Sequence, residues 1–423
     1  MPPSVLLACL LALAGCRPST PPPDGARDAT TPGGRPEAGA TVDPDTAAAL
    51  QAVPYLQAYR HAEDRPLISH YDPAAVDPGL NLYLSAHAAE AELVDMEGRT
   101  VHRWRYPLRR LWPELAKKPE IAKLDYWRHA HLFDDGRLLA IFEGLGLVAL
   151  DADSNLLWAY RGGTHHDLFV DGDGNVHVLE RISRLLPRMH RTRPVLEDFV
   201  TTLDPRGQVL QRASVLEAVE RSPFSSLLER LPRRTGDVFH TNAVVPLDGR
   251  FAGRNPAFRR GNVLISMREL DAVAVLDPER NVVVWALTGG WRRQHAPSLV
   301  GDGNLLLFDN QGAGREVSRV LEVDPASGAT RWQYGGESPQ VLSSKTLGAA
   351  QRLANGNTLI VDSQRGRALE VTPAHRIVWD FYNPHRMGEQ GKLVAALMEL
   401  RRLPPNLPFL GPEGGRRAPE SGR

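Results

Sequence analysis

VAVLDPERNVVVWAL, residues 273–287, is an apolar run, an Asp-Pro turn and a second branched-aliphatic run that ends near a tryptophan. Strand side chains point alternately to two faces and Asp-Pro favours chain reversal, so the stretch reads as a β-hairpin. The unit recurs as AELVDMEGRTVHRW (91–104), LVALDADSNLLWAY (147–160), VTTLDPRGQVLQRA (200–213), VLEVDPASGATRWQY (320–334) and ALEVTPAHRIVWDF (368–381), which makes six copies. Asp95, Asp151, Asp204, Asp277 and Asp324 mark five of the turns, and Thr372 marks the sixth.

Between these hairpins lies a second type, in which a Gly turn precedes a strand. It reads DDGRLLAIFE (134–143), GDGNVHVLE (172–180), RGNVLISMRE (260–269), GDGNLLLFDN (301–310) and NGNTLIVDS (355–363), with PGLNLYLSA (78–86) as a partial first copy. Two hairpins every roughly 50 residues make a repeated four-stranded antiparallel sheet. The fold class expected is all-β, a six-bladed β-propeller over residues 49–383; a β-helix or a long sandwich fits the four-strand period less well. Residues 214–234 (SVLEAVERSPFSSLLERLPRR) have apolar side chains at helical spacing and predict a short helical insertion, and 111–123 predicts another. For the region 384–423 the spacing predicts an amphipathic helix over 393–403, followed by a disordered tail.

The remaining composition bounds the function. Fifty Lys and Arg balance fifty Asp and Glu over 423 residues, so no overall field draws the chain to nucleic acid. The two cysteines are Cys9 and Cys16, so the expected domain contains no disulfide, thiolate metal site or cysteine nucleophile. Val5 to Gly15 is an apolar run of signal-peptide length, and Leu13-Ala14-Gly15-Cys16 resembles a bacterial lipobox. A lipoprotein signal peptide is therefore expected over 1–16, with lipidation at Cys16 and a disordered Pro/Gly-rich tether over 17–48. The start, Met1-Pro2-Pro3-Ser4, lacks the usual Lys or Arg. The expected destination is the cell envelope, with the periplasmic side of the outer membrane favoured by Arg17 after the cysteine.

Histidines stand upstream of the Gly turns, on the strand that opens each repeat. His166 and His295 each precede their turn glycine, Gly174 and Gly303, by eight residues; His129 and His240 take similar places before Gly136 and Gly249. Innermost propeller strands begin on one face beside the central channel, so these positions converge there. The corresponding stretch of the last repeat, Leu347-Gly348-Ala349-Ala350-Gln351, has no histidine, so the blade itself does not require one. One chemistry open to such a cluster is metal binding, with His129 and His131 on one strand face or His165-His166-Asp167 as ligands, although no established metal-ligand spacing is present. Another is a nucleophilic imidazole with Arg268 stabilising anionic charge.

At these residues the chain resembles the arylsulfotransferase (aryl-sulfate sulfotransferase) family, and its shorter bacterial members most. The stretches that carry the resemblance are GLNLYLSAHAAEAELVDMEGRTVHRW, THHDLFVDGDGN, GDVFHTNAV, GNVLISMRELDAVAVLD, WALTGGWRRQHAPSLVGDGNLLLFDN and QRLANGNTLIVDS, within about 78–383. The resemblance implies a channel histidine that takes a sulfuryl group from an aryl sulfate and passes it to a phenol, with no nucleotide sulfate donor, cofactor or metal. It places the nucleophile at His295 and supporting groups at His240, Arg268 and one of His165 and His166. The partners expected are an aryl sulfate donor, a phenolic acceptor and, through Cys16, a membrane. The alternative is a propeller that binds a ligand or an envelope protein without catalysis.

Overall fold

The computed structural model describes residues 58–411, apart from 338 and 340. The expected signal peptide with Cys16, the tether over 17–48 and the tail after 411 lie outside the described residues.

Each repeat forms a four-strand antiparallel meander, and six occur among the described residues. The second sheet orders Trp127–Leu132, Leu138–Phe142, Gly146–Leu150 and Leu156–Arg161. The third has Thr164–Val170, Val176–Arg184, Val195–Leu203 and Val209–Ser214, with the two-residue strand Gly236–Asp237 added in parallel. Thr241–Pro246, Val263–Met267, Ala272–Asp277 and Val282–Thr288 make the fourth. His295–Val300, Asn304–Asp309, Arg319–Val323 and Thr330–Gly335 make the fifth. The sixth runs from Ala349–Arg352 through Thr358–Asp362, Arg367–Val371 and Ile377–Tyr382, with Ile68–Tyr71 added at its outer edge.

The first sheet joins both ends of the described chain. Its inner strand is Leu397–Leu403, paired with Leu80–Ser85, Glu90–Val94 and Thr100–Arg105. Inner strands of successive sheets pack against one another, and Leu397–Leu403 packs against Trp127–Leu132 to complete the circuit. Six apolar clusters follow the same circuit, one between each pair of neighbouring sheets. A sheet buried on both faces must find such a partner on each side. The fold is all-β and propeller-like.

The repeated residues have physical roles in this arrangement. Each turn acid folds over its own backbone: Asp95 Oδ1 accepts from Glu97 N at 3.0 Å and Arg99 N at 2.8 Å, and Asp151 and Asp204 repeat the pattern. Thr372 Oγ1 substitutes by accepting from Arg376 N at 3.1 Å. The hairpin tryptophans tie one sheet to the next: Trp104 Nε1 donates to Gly136 O, Trp332 Nε1 to Pro373 O and Trp379 Nε1 to Met96 O.

Helices form where 214–234 predicts them. Val215–Glu220 is α-helical, capped by the Ser214 side chain accepting from Glu217 N, and Ser225–Arg230 is a 3-10 helix. Short helices Pro113–Ala116 and Pro119–Ala122 occupy the second predicted segment, and another, Leu108–Leu111, leads into it. The helix expected over 393–403 does not form. That segment is the strand Leu393–Ala395 followed by the inner strand Leu397–Leu403, so the sheets extend to residue 403 rather than ending at 383. Burial explains the difference. Leu397–Leu400 is buried on both faces, which erases the two-residue alternation of a strand and leaves apolar spacings that mimic a helix.

Arg402 secures this closure. It is 5 % exposed, donates to Asn81 Oδ1 at 2.8 Å in the first sheet and to Glu370 Oε2 at 2.9 Å in the sixth, and lies over the Trp379 ring. Arg402→Ala would leave the fully buried Glu370 carboxylate without its cation and is expected to cost about 3–5 kcal/mol. Urea unfolding is the measurement. Pairing Arg402→Met with Glu370→Leu should recover most of the loss; equal stability of Arg402→Ala and wild type would refute the assignment.

Candidate active site

The site sits where the inner strands begin, and a backbone irregularity there aims its side chains. Strand register shifts between Trp127 and Ala130, His165 and Leu168, Thr241 and Val244, and His295 and Ser298. Such bulges turn side chains away from the regular two-face alternation. The sixth sheet's inner strand, which lacks a histidine, pairs in regular register. His166 and His240 take left-handed backbone angles, with φ of 56° and 50°. A carboxylate holds each in that uncommon conformation: Glu143 Oε2 accepts from His166 N at 3.1 Å, and Asp237 Oδ1 from His240 N at 3.0 Å.

These strands gather three imidazoles. The His166 ring lies 4.7 Å from His240 and 6.4 Å from His295, centroid to centroid. His165 lies behind His166, fully buried, with the two Nδ1 atoms 2.9 Å apart and its Nε2 3.5 Å from Asp198. Arg268 is the residue just past the strand Val263–Met267, first in a 3-10 turn rather than within the strand as expected. Its Nη1 donates to His240 Nε2 at 3.0 Å and its Nη2 to Glu269 Oε1 at 2.7 Å. His129 stands apart, beside Glu399 and Asp167 at 3.2 and 3.5 Å.

Hydrogen bonds assign the protons of two rings. His295 Nδ1 is 2.7 Å from Asn310 Oδ1 and 3.0 Å from Arg293 O. The Asn310 amide is oriented by its own donations to Ser344 O and Leu347 O, both 2.6 Å, so Oδ1 must face the ring. Nδ1 therefore carries the proton, and the Nε2 lone pair is left without a hydrogen bond among the described residues. Burial, with Arg268 and then Arg128 adding to it against the opposing Asn310 bond, holds the imidazole well below its ordinary pKa. His295 is neutral at pH 7. His240 donates through Nδ1 to Asp237 and accepts from Arg268 through Nε2. Burial and Arg268 lower its pKa, and Asp237 opposes them.

Several residues here have no repeat signature in the sequence. Arg128 is 7 % exposed and bears electrostatically on both His166 and His295. Arg181 donates to Asp198 at 2.9 Å and lies 3.5 Å from Asp237. Although burial disfavours its charge, these two acids hold it protonated beyond the usual range. Burial likewise opposes ionisation of Asp237, and Arg181, His240 and Arg268 overcome it, leaving a carboxylate. Glu143, Asp198, Asp237 and Asn310 are polar residues of a kind that also satisfies ordinary cores. Their position beside the histidines marks them, and only the folded chain supplies it.

Glu143, His165 and His166 bring ligand-type atoms within 4.8 Å of one another. Arg128 and Arg181 are buried beside this trio, and fixed guanidinium charge disfavours a divalent cation. An anion suits the surroundings better. Arg128, Arg181 and Arg268 set fixed positive charge beside the histidines, where negative charge would be stabilised.

The buried neutral imidazoles also set a stability profile. Burial lowers His129 and His131 to about 4, and His166, His240 and His295 are lowered too. Between the ordinary value of 6.5 and those lower values the unfolded chain binds more protons than the folded one. Stability is then lost as pH falls, by about 1.4 kcal/mol per pH unit for each such group. Urea midpoints should fall steadily from pH 7 to pH 4.5, and a flat profile would contradict the burial of these rings.

The sequence model of the arylsulfotransferase (ASST) family matches residues 129–384, more than half of the chain. That span includes every histidine of the cluster, Arg268 and Asn310. No curated protein sequence matches the chain. Among solved structures it is similar to a protein of unknown function from Bacteroides caccae, at 12% identity over 75% of this chain and 97% of that one, TM-score 0.48. A streptogramin B lyase is similar at 9% identity over 83% and 100% of the two chains, TM-score 0.44. The WD40 β-propeller domain of Doa1 is similar at 11% identity over 82% and 94%, TM-score 0.42. With its family model spanning the whole histidine cluster, the chain belongs to the arylsulfotransferase family.

Proposed function

We propose that this protein is a six-bladed propeller enzyme that moves a sulfuryl group from an aryl sulfate to a phenol through a sulfohistidine at His295. The observation that carries the proposal is the buried, neutral His295, whose Nδ1 proton is committed to Asn310 and Arg293 and whose Nε2 lone pair has no partner among the described residues. In the first half-reaction Nε2 attacks sulfur and the S–O bond to the aryl group breaks. The electron pair leaves on the aryl oxygen, which takes a proton from His240. In the second half-reaction the acceptor phenol attacks sulfur and gives its proton to His240. The S–N bond breaks and its electron pair returns to His295.

His240 is built for that exchange. Asp237 fixes its Nδ1–H, and in the free protein Arg268 Nη1 donates to Nε2. When Nη1 shifts onto the sulfuryl oxygens while Nη2 stays on Glu269, the negative charge of the bound ester draws a solvent proton onto Nε2, ready for the phenolic oxygen. Arg268 and Arg128 face the charge that develops on the sulfuryl oxygens. His166, flanked by His165 and Glu143, completes the polar wall beside His240. Anchoring in the cell envelope through Cys16 belongs to the same proposal, and labelling of Cys16 with an acyl chain would test it.

The transfer itself is tested by mixing the protein with p-nitrophenyl sulfate labelled on sulfur, in the absence of a phenol. One equivalent of nitrophenol should be released in a burst while the label stays on the protein; adding a phenol should discharge it. Steady turnover with neither burst nor bound label would rule out the covalent intermediate. A folded protein inert towards every aryl sulfate tried would favour a binding propeller instead.

A further inference from the structure

His87, Glu90 and His385 form a second cluster, outside the transfer machinery. Their ligand-type atoms lie within 4.8 Å of one another. His87 is in the loop between Leu80–Ser85 and Glu90–Val94; His385 is in the crossing from the sixth sheet to the closing strand Leu397–Leu403. Glu92, two residues from Glu90 on the same strand face, places Oε1 2.9 Å from His385 Nε2. Both carboxylates are buried, at 7 % and 4 % exposure. The two imidazoles are stacked with centroids 3.5 Å apart and planes 11° from parallel.

We propose that His87, Glu90, Glu92 and His385 bind one nitrogen-preferring divalent cation, of the Zn²⁺ type, and that this ion joins the N-terminal and C-terminal arms of the ring closure. The proposal is independent of sulfuryl transfer.

The arrangement divides the four carboxylate oxygens in two. Oε1 of Glu90 and Oε1 of Glu92 face the imidazoles, at 2.8 and 2.9 Å. The Oε2 atoms face outward, Glu92 accepting from Arg103 at 2.7 Å and Glu90 lying 3.7 Å from Arg105. That is the outer-shell support that orients ligating carboxylates. Two nitrogens and two carboxylate oxygens are a suitable tetrahedral set for zinc. An ion must lie in the plane of each ring it binds, so the stacked rings have to fan apart. Each has room to turn, with 21% of its side chain exposed. His87 also borders a hollow of about 300 Å³ whose charged lining is Arg105, Arg109, Lys123 and Asp125. Arg103 and Arg105 behind the carboxylates are exposed, so solvent screens their charge as it does not for the buried arginines beside His166. Two imidazoles among four donors favour a Zn²⁺-type ion over the oxygen-seeking Ca²⁺ and Mg²⁺.

The test is a Co²⁺ titration of the metal-free full-length chain, followed by the visible absorption of tetrahedral Co²⁺, with Zn²⁺ displacement. One equivalent should bind. His87→Ala and His385→Ala should each lower affinity by more than the roughly 10–100-fold that an outer-shell partner contributes. His166→Ala should bind as wild type does. Zn²⁺ should raise the unfolding temperature of wild type and not that of Glu90→Gln, which keeps the side-chain shape if an alanine variant misfolds. The proposal fails if wild type binds no stoichiometric Co²⁺, if binding survives in both alanine variants, or if His166→Ala alone abolishes it.

Discussion

His295→Asn is expected to lower aryl sulfate turnover by at least about ten-thousandfold, the scale of loss when a nucleophile is removed from an otherwise intact site. Asparagine matches the reach of the ring as far as its first nitrogen but cannot attack sulfur from the Nε2 position. The rest of the site is held independently. Asn310 keeps its bonds to Ser344 and Leu347, and Asp237 keeps His240. Binding of an aryl sulfate should therefore change little, within about threefold, because a nucleophile contributes mainly beyond the ground state. The nitrophenol burst and the protein-bound label should both vanish. His295→Gly supplies the complementary arm, since free imidazole diffusing into the vacated space should restore part of the turnover. Retention of even a tenth of wild-type transfer in His295→Asn would remove His295 from the reaction and move attention to His166, whose ring lies 6.4 Å away.

The transfer site is legible in the sequence only where the repeats make positions comparable. His166, His240 and His295 could be aligned because each stands a similar distance before a turn glycine, and the repeat converts that distance into a common place on the channel. Asp95 and Trp104 were legible for a related reason: each repeats, and each does one local task. Arg128 and Arg181 have no such counterpart. An arginine in a strand is ordinarily a solvated residue, and only the packing of the second and third sheets buries these two among histidines and acids. The closing strand was opaque for the opposite reason. Leu397–Leu403 is enclosed by neighbours on both faces, so its pattern encodes burial without a period that distinguishes strand from helix. His87 and His385 were equally opaque, because 298 residues separate them and ring closure alone brings them together.

Arg268→Ala should lower kcat by about a hundredfold to a thousandfold, the range for removing one preorganised group that faces transition-state charge. The Arg268 guanidinium is held by Glu269 on one side and donates to His240 on the other, so it is in place before substrate arrives. Its loss has a second, separable consequence. Arg268 is among the charges that hold His295 and His240 below their ordinary pKa, so without it both rings protonate at higher pH. Protonated His295 has no lone pair to attack with, and the acid limb of kcat/KM should therefore move up in pH in the alanine variant. Arg268→Lys keeps the charge but loses the two-pronged contact that joins Glu269 to His240. It should restore the position of the acid limb while recovering only part of the rate. A residue that merely supported the turn Arg268–Leu270 would lower stability in both variants and leave the pH profile where it was. The profile thus decides between an anion-stabilising role and a structural one, and an unmoved limb in Arg268→Ala, with rate loss matched by unfolding, would settle it against the proposal.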